Sequence, residues 1–348
     1  MDPVRLSVLD LAPVATGLGT ADALRNSIEL SRVTERLGYH RYWVAEHHGM
    51  PGIASSSPAV LAAHIAGATS VMRVGAGGVM LPNHAPLIVA EQFGMLEALH
   101  HGRIDLGIGR APGTDSLTAR ALRRPEEPVS PEDFLGQIIE LIGFFDGSLP
   151  LGHPYARITP VPATGNMPQF WVLGSSDSSA RVAALLGLPF AFAHHFGPTA
   201  LLPSLEVYRS AYQPSTWSER PQVLVAVNAL CAGSDEEAHY LAEPGKLSLL
   251  QLRLGRPSTV PSPETAARYS YDDRDREYVN RLPVLVGGPD HFREELDRLI
   301  EATVPDEIMI TTTTHDAKDR IRSYSLIADL YGLQRRVKEA AGPRDETA

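Results

Sequence analysis

The fold is indicated first by residues Pro86 to Arg110, PLIVAEQFGMLEALHHGRIDLGIGR. Pro86 to Leu99 reads as a helix with proline in its first turn, and Ile104 to Ile108 reads as a short buried strand that leads into Gly109. A helix that runs directly into an apolar strand is the repeating unit of α/β proteins, in which helices connect parallel strands. The rest of the chain repeats this alternation.

Short apolar runs alternate with helical patterns from one end of the sequence to the other. Eight of these runs are predicted strands: Arg5 to Leu9, Tyr42 to Ala45, Val71 to Leu81, Ile104 to Ile108, Phe170 to Leu173, Pro189 to Ala193, Val223 to Leu230 and Glu307 to Thr311. This pattern favours an α/β fold of the (β/α)8 TIM-barrel type with insertions over a doubly wound sheet. No GxGxxG follows the first strand, which argues against a dinucleotide-binding unit. In such barrels the catalytic groups follow the C-terminal ends of the strands.

Two irregular stretches interrupt the alternation and account for the length of 348 residues. One is proline-rich, Ala111 to Ser130, and the other is Arg253 to Arg281, which carries three prolines and many charges. We expect the second to be a long, structureless and mobile loop, because loops of this length are usually functional or disordered. The expected organisation is one domain over residues 1–335 and a C-terminal tail over 336–348.

The composition excludes several classes of protein. Hydrophobic residues make up 43% and the formal net charge is −10, which is typical of a soluble chain without a surface for nucleic acid or anionic membranes. A single cysteine excludes a disulfide framework and a cysteine-based metal site, and we expect no metal. The N-terminus does not resemble a signal peptide and no apolar run is long enough to cross a membrane, so we expect a cytoplasmic protein.

Polar and glycine-rich segments follow strands two, three and four. Glu46, His47 and His48 come after strand two, and adjacent strand residues point to opposite sides, so the two histidines cannot ligate one metal together. Gly77-Gly78 in strand three permits close approach of a flat ligand. Arg110 after Gly109 can reach an anion at the barrel mouth. Each feature also has a plain structural explanation: a backbone-satisfied histidine, a barrel bend or a surface arginine.

Strands five and six end in further polar groups. Ser175, Ser176 and Ser179 stand at the start of a predicted helix, where hydroxyls and free amides form a phosphate site or simply cap the helix. His194-His195-Phe196 follows strand six. Taken together, an anion cradle, a glycine-lined approach and a titratable histidine on one barrel face fit a planar cofactor with a phosphate. Flavin mononucleotide (FMN) fits this layout best.

These residues resemble those of the bacterial luciferase-like flavin monooxygenases. The segments that carry the resemblance are YWVAEHH at 42–48, GVMLPNH at 78–84 and GRIDLGIGR at 102–110, and the similarity extends over about Arg5 to Leu330. It is strongest to the single-chain actinobacterial members that act as tailoring oxygenases, which implies a role in antibiotic or other secondary-metabolite biosynthesis.

The resemblance implies roles for individual residues. His47 matches a histidine needed for productive use of the flavin hydroperoxide, with Glu46 beside the cofactor. Arg110, Ser176 and Ser179 match the residues that hold the FMN phosphate. Gly77-Gly78 falls where the family has a non-prolyl cis peptide beneath the isoalloxazine, and the 253–281 stretch matches the mobile active-site loop.

Two positions depart from the luciferase pattern. Gly109 stands where the luciferase catalytic subunit has a reactive cysteine, which puts light emission and luciferase-like aldehyde chemistry in doubt. Ser175 replaces an acidic neighbour of the phosphate, which leaves phosphate binding intact.

The resemblance implies a two-component enzyme in which a separate NAD(P)H-dependent reductase supplies reduced FMN. O2 would react at flavin carbon 4a, and the resulting hydroperoxide would oxygenate a hydrophobic substrate such as a polyketide or long-chain aldehyde. One alternative is a hydride-transfer oxidoreductase that uses a deazaflavin, whose charged tail Arg120, Arg123 and Arg124 could bind. Another is a non-catalytic flavin-binding barrel.

Aromatic and apolar side chains are predicted to line the substrate pocket: Trp43, Phe192, Phe196 and Leu11, with His194 and His195 beside them. Luciferase-like barrels often pair through their second and third helices. We therefore expect a homodimer in which the small residues Ala62, Ala63, Ala66 and Gly67 form a packing face.

Overall fold

The computed structural model describes residues 3–122, 129–196 and 198–336. Nine strands lie within these residues: β1 Arg5–Asp10, β2 Arg41–Val44, β3 Arg73–Met80, β4 Ile104–Gly109, β5 Gln169–Gly174, β6 Phe190–Ala193, β7 Val223–Cys231, β8 Val284–Gly287 and β9 Glu307–Thr311. The helices of the same ranges are α1 Thr20–Leu37, α2 Pro58–Ala68, α3 Pro86–Leu99, α4 Ser116–Ala121, α5 Pro131–Asp146, α6 Asp177–Leu186, α7 Leu201–Ala211, α8 Asp235–Arg253, α9 Pro263–Ala267, α10 Asp273–Asn280, α11 Pro289–Thr303 and α12 Ala317–Leu330.

Eight parallel strands close into a barrel. Each of β1 to β6 pairs with the next, β6 pairs with β7, and β9 lies between β7 and β1. The predicted (β/α)8 TIM barrel is confirmed. The ninth strand, β8, was not predicted; it pairs with the last four residues of β7, Asn228 to Cys231, of which only Asn228 also pairs with β9.

The barrel interior is filled by large side chains and closed at its N-terminal end by buried charges. Arg41 of β2 pairs with Asp105 at 2.8 Å and with Glu307 at 2.7 Å. The guanidinium also stacks on Trp43 and Trp171, whose rings meet edge to face. Burial without a partner would make each of these charges costly, and the pairing removes that penalty. This layer of paired charges separates the N-terminal end of the barrel from its C-terminal mouth.

The stretch Arg253 to Arg281 is not structureless, which corrects the sequence-based expectation. It contains α9 and α10, and each begins at a capping side chain: Ser262 accepts from the Thr265 amide, and Asp272 accepts from the Asp275 amide. Both helices pack on α8 through a small apolar cluster that contains Leu247, Leu250, Ala266 and Val279. The insertion is a folded cover beside the barrel mouth.

Other differences from the prediction are smaller. The irregular stretch Ala111 to Ser130 contains α4, and the helices α7 and α11 were not predicted. Arg123 and Arg124 lie outside the described residues, as does the predicted tail except for Arg336.

Candidate active site

Glu46 ties together the ends of β2 and β3. Its carboxylate is fully buried. It accepts hydrogen bonds from the Met80 amide and from the Asn83 side chain, both at 2.9 Å. It also contacts Nε2 of His48 at 2.9 Å and Nε2 of His84 at 3.0 Å. Burial alone would raise the pKa of Glu46, but the hydrogen bonds from the two histidines and Asn83 outweigh it and lower the pKa. Glu46 is therefore an ionised carboxylate whose hydrogen bonds tie the end of β2 to the end of β3 at the barrel mouth.

His47 turns away from this tie and lines a cavity at the barrel mouth. Its backbone amide donates to Ser55 O at 3.0 Å, and its Nδ1 lies 3.3 Å from the carbonyl oxygen of Gly113. A carbonyl can only accept, so Nδ1 carries the proton and Nε2 presents a lone pair. Burial lowers the pKa of His47, which the Gly113 contact and Glu46 only partly offset. The ring is a neutral acceptor at neutral pH.

His195 follows β6 and lines the same cavity. Its Nδ1 is 3.2 Å from the carbonyl oxygen of Ala226, so the same argument leaves Nε2 as an acceptor. The pKa of His195 is lowered to about 4, mainly by burial and to a smaller extent by the nearby His47 and His194, and the Ala226 hydrogen bond only partly offsets this. Phe196, beside it, stacks on the His195 ring with centroids 4.3 Å apart and is 55% exposed.

The cavity is open to solvent, with about 1040 Å³ of empty space. Its walls come from the segments after β1, β2, β6 and β9, from β7 and β8, and from α8 and the stretch after it. Most lining side chains are apolar, as is usual for small-molecule sites. They include Leu11, Pro13, Met50, Ile53, Phe196, Ala229, Leu230, Leu249, Leu252 and Val260.

The predicted cofactor residues lie at the same C-terminal edge but on the β3, β4 and β5 side. The Gly77–Gly78 peptide is cis, as predicted. A Cβ on Gly77 would lie 2.7 Å from the Trp43 ring, so only glycine allows the bond to sit on this ring. Gly109 is the last residue of β4. A Cβ at this position would lie 3.0 Å from the Met80 sulfur. Arg110 follows directly.

The start of α6 has the features of an anion site. Ser176 is the N-cap residue, with Ser175 before it, and its side chain makes no capping hydrogen bond to the first turn. The first-turn amides therefore remain donors for an anion, in the favourable field of the helix. Ser179 is buried against Gly174, where an added Cβ would lie 2.2 Å from its Oγ. The residues present fit a phosphate.

The barrel mouth thus has two halves. The ends of β3, β4 and β5 carry the glycines, Arg110 and the serines, and the cavity occupies the side of β7, β9 and β1. His47 after β2 and His195 after β6 flank the first half and line the second. A cofactor in the first half and a substrate in the second would meet between these two rings.

Some predicted pocket residues lie elsewhere. Trp43 is 1% exposed, donates to Asp105 at 2.9 Å and belongs to the barrel interior, so the prediction that it lines the pocket is wrong. Phe192 points outward into the core between the sheet and the helices, so the prediction that it lines the pocket is also wrong. His194 does not line the cavity. Leu11, His195 and Phe196 do line it, and their assignment to a substrate pocket stays a prediction.

Asp10, at the end of β1, was missed by the sequence analysis. It accepts from the Ala12 amide at 2.8 Å, from Tyr42 at 2.5 Å and from Arg320 at 2.7 Å, and these bonds lower its pKa although burial opposes them. Ala12 has a φ of 50°, so Asp10 holds the turn that places Leu11 on the cavity wall. Its position at a strand's C-terminal end is the signal that could have identified it.

Within the described ranges, no helix is long and apolar enough to cross a bilayer. The same residues contain no group of three or more His, Cys, Asp or Glu side chains arranged for a metal ion.

Comparison with known proteins agrees with this geometry. Residues 4–307 match the family described as luciferase-like monooxygenase. A luciferase-like monooxygenase of Escherichia coli K12 is 41% identical over 329 residues, which cover 94% of this chain and 97% of that protein. The chain belongs to the luciferase-like monooxygenases. As a member of this family it is a luciferase-like monooxygenase.

Other luciferase-like monooxygenases extend the comparison. The N-acetyl-S-alkylcysteine monooxygenase of Bacillus subtilis is 34% identical over 94% of this chain and 98% of its own. The crystal structure of apo-MsnO8 superimposes with a TM-score of 0.88 at 38% identity, covering 96% of this chain and all of that one.

Two more distant structures share the fold alone. One is the oxygenating constituent of the 3,6-diketocamphane monooxygenase of Pseudomonas putida in complex with FMN, at 20% identity, a TM-score of 0.70 and coverage of 97% and 100% of the two chains. The other is an F420-dependent secondary alcohol dehydrogenase, at 12% identity, a TM-score of 0.67 and coverage of 94% and 99%.

Proposed function

We propose that this protein is the oxygenase component of a two-component system that uses reduced FMN and O2 to oxygenate a hydrophobic organic substrate. The observation that carries the proposal is the two-part mouth, in which His47 and His195 line the apolar cavity beside the phosphate-fitting start of α6. The bound reduced flavin supplies the chemistry by activating O2 for transfer of one oxygen atom. The protein supplies binding, orientation and exclusion of water.

The cofactor phosphate is assigned to the start of α6. The amides of its first turn, with Ser175, Ser176 and Ser179 at the same helix start and Arg110 directly after the neighbouring strand β4, match an anion in charge and donor type. The FMN complex of the 3,6-diketocamphane enzyme, which shares the fold, supports this choice of cofactor. The flat ring is assigned to the side of the mouth that carries Gly77, Gly78 and Gly109.

His47 is assigned the role of accepting the proton at the reacting oxygen. The His47 ring lines the cavity with Nε2 as its acceptor nitrogen, and its lowered pKa keeps the ring ready to accept a proton at neutral pH. Glu46 does not contact the reactants in this assignment, because its buried carboxylate is used by protein donors. It positions His47 by fixing the segment that follows β2.

The substrate is assigned to the apolar cavity, which fits a polyketide or another secondary metabolite in a tailoring step. Relatives with this activity on small organic molecules include the N-acetyl-S-alkylcysteine monooxygenase. The covering stretch of residues 253–281 contributes Pro257, Ser258 and Val260 to the wall, and is the candidate lid. A separate reductase would supply the reduced flavin in the cytoplasm.

The proposed assembly is a homodimer, in which each chain pairs with a second copy of itself. α2 and α3 expose apolar side chains: Val60 at 59%, Ile88 at 46%, Met95 at 54% and Leu99 at 71%. The three on α3 share one stripe, which a second copy would cover. Of the predicted small-residue face, Ala62 and Ala66 are buried within the chain, whereas Ala63 and Gly67 are exposed on the same side as Val60.

The test measures cofactor choice and coupling together. Reduced FMN and a reduced deazaflavin are titrated separately into the protein, and O2 consumption is compared with oxygenated product for the wild type and for His47→Ala. We expect preference for FMN, with retained FMN binding but uncoupled O2 consumption in the variant. Preference for the deazaflavin would favour the hydride-transfer alternative. If O2 consumption and product formation stayed coupled in His47→Ala, the role assigned to His47 would be wrong. If the protein turned over with no acceptor, the alternative of a non-catalytic flavin-binding protein would be favoured.

A further inference from the structure

Among the described residues that line the apolar cavity, one carries a permanent charge. α8 lines the cavity with Ala242, Gly245, Lys246, Ser248, Leu249 and Leu252, which lie on one helical face. Four of these six residues are apolar or lack a side chain, and the Ser248 hydroxyl donates to the Pro244 carbonyl oxygen of the same helix. The sixth, Lys246, brings a positively charged side chain to a face where packing alone would favour another apolar residue.

Lys246 is held in place from the same helix. Its side chain is 17% exposed, and Nζ lies 3.1 Å from Oε1 of Glu243, which is 28% exposed. Partial burial makes an unpaired ammonium costly, and this pairing offsets the cost. An ammonium has three N–H donors, and Glu243 takes one of them. Two donors are left for a ligand or for water.

The other polar groups of the cavity do not compensate this charge. Among the described lining residues, Lys246 is the only Lys, Arg, Asp or Glu, and Glu243 is not one of the lining residues. His47 and His195 are neutral because burial lowers the pKa of each. The cavity therefore offers a positive end on α8 and two neutral acceptors on the side of β2 and β6.

We propose that the cavity selects organic anions, in which an apolar body carries a carboxylate that Lys246 binds. The apolar walls accommodate the body, and Glu243 keeps the ammonium directed along the wall between substrates. A carboxylate at this point gains a charge-assisted hydrogen bond in surroundings with little competing water. This inference deepens the proposed function, and it rests on the assignment of the cavity to the substrate.

The experiment compares an anion with its neutral ester. Decanoate and methyl decanoate are titrated calorimetrically into the wild type and into Lys246→Met, which removes the charge but keeps an unbranched apolar side chain. We expect decanoate to bind the variant about tenfold more weakly, with methyl decanoate unchanged, because only the anion loses a charged hydrogen bond. Lys318→Met, which removes an exposed lysine outside the cavity lining, is the matched control and should leave both affinities unchanged.

The Glu243→Gln variant should change the affinity for decanoate in the opposite direction. Removing the competing carboxylate should strengthen decanoate binding severalfold while leaving the ester unaffected. Equal losses for both probes in Lys246→Met, no loss for either, or failure of decanoate to bind the wild type would each overturn the proposal.

A phosphate is the other anion that could reach Lys246. FMN is therefore titrated into Lys246→Met, where we expect unchanged affinity. Weaker FMN binding with unchanged decanoate binding would place the lysine at the cofactor and refute the proposal. These readouts need no turnover, so they remain separate from a failure of the oxygenation assay.

Discussion

Replacing Glu46 by glutamine tests the tie between β2 and β3. The Met80 amide donates to one carboxylate oxygen and the Asn83 side chain to the other, both at 2.9 Å. Glutamine has one accepting oxygen, so its amide group would face a donor at the second position. An unsatisfied buried donor costs about 1–3 kcal/mol, and the loss of charge assistance brings the expected destabilisation to about 2–4 kcal/mol.

The assay is urea and thermal unfolding of Glu46→Gln beside Glu29→Gln. Glu29 is 52% exposed and lies 3.8 Å from each of two arginines, so its replacement should change the free energy of unfolding by less than about 0.5 kcal/mol. We expect the thermal midpoint of Glu46→Gln to fall by about 5 °C. A change as small as that of the control would refute the assignment of Glu46 as a structural tie.

The same variant makes a prediction about pH. The pKa of Glu46 is lowered in the folded state, so the stability that its ionised form contributes is present above the unfolded-state pKa. That contribution is lost as the pH falls through the folded pKa, when the carboxyl is protonated. The difference between wild type and Glu46→Gln should therefore be largest near pH 7 and shrink at acid pH. A difference that grows on acidification would contradict the ionised state.

Three further predictions concern the cofactor end, the histidines and the α2–α3 surface. Gly174→Ala places a methyl group 2.2 Å from Ser179 and should weaken FMN binding at least about tenfold in a fluorescence titration; unchanged affinity would separate Ser179 from the phosphate. The pKa of His195 is lowered to about 4, so folding stability should fall as the pH drops from about 6.5 toward 4, and His195→Gln should flatten this part of the profile of thermal midpoint against pH. Met95→Glu should convert a dimer into a monomer in light scattering, whereas Leu151→Glu, at another exposed apolar residue, should not.

The sequence was sufficient for the fold and for the side of the barrel that carries the site. Strand and helix periodicities are local, and eight repeats of them leave few closed arrangements. His47, Arg110 and Ser176 could be placed at the mouth because each follows a predicted strand. The cis Gly77–Gly78 peptide was expected from the family resemblance.

The direction of each side chain required the tertiary structure. Both faces of a parallel barrel strand are buried, so an apolar run does not reveal which side chains point into the barrel. Trp43 and Phe192 were placed at the pocket for this reason, although one fills the barrel and the other packs under the helices. β8 was missed because its partner, the end of β7, is more than fifty residues away in sequence.

The cavity itself was decided only by folding. Its walls combine Leu11, His47, His195, Lys246 and Val260, which no local pattern connects. Sequence alone determined that glycines, histidines and serines would meet at one barrel mouth, because these residues follow individual strands. Tertiary structure decided which of those groups share a space, because that depends on bringing together segments up to 302 residues apart, from Leu11 to Thr313.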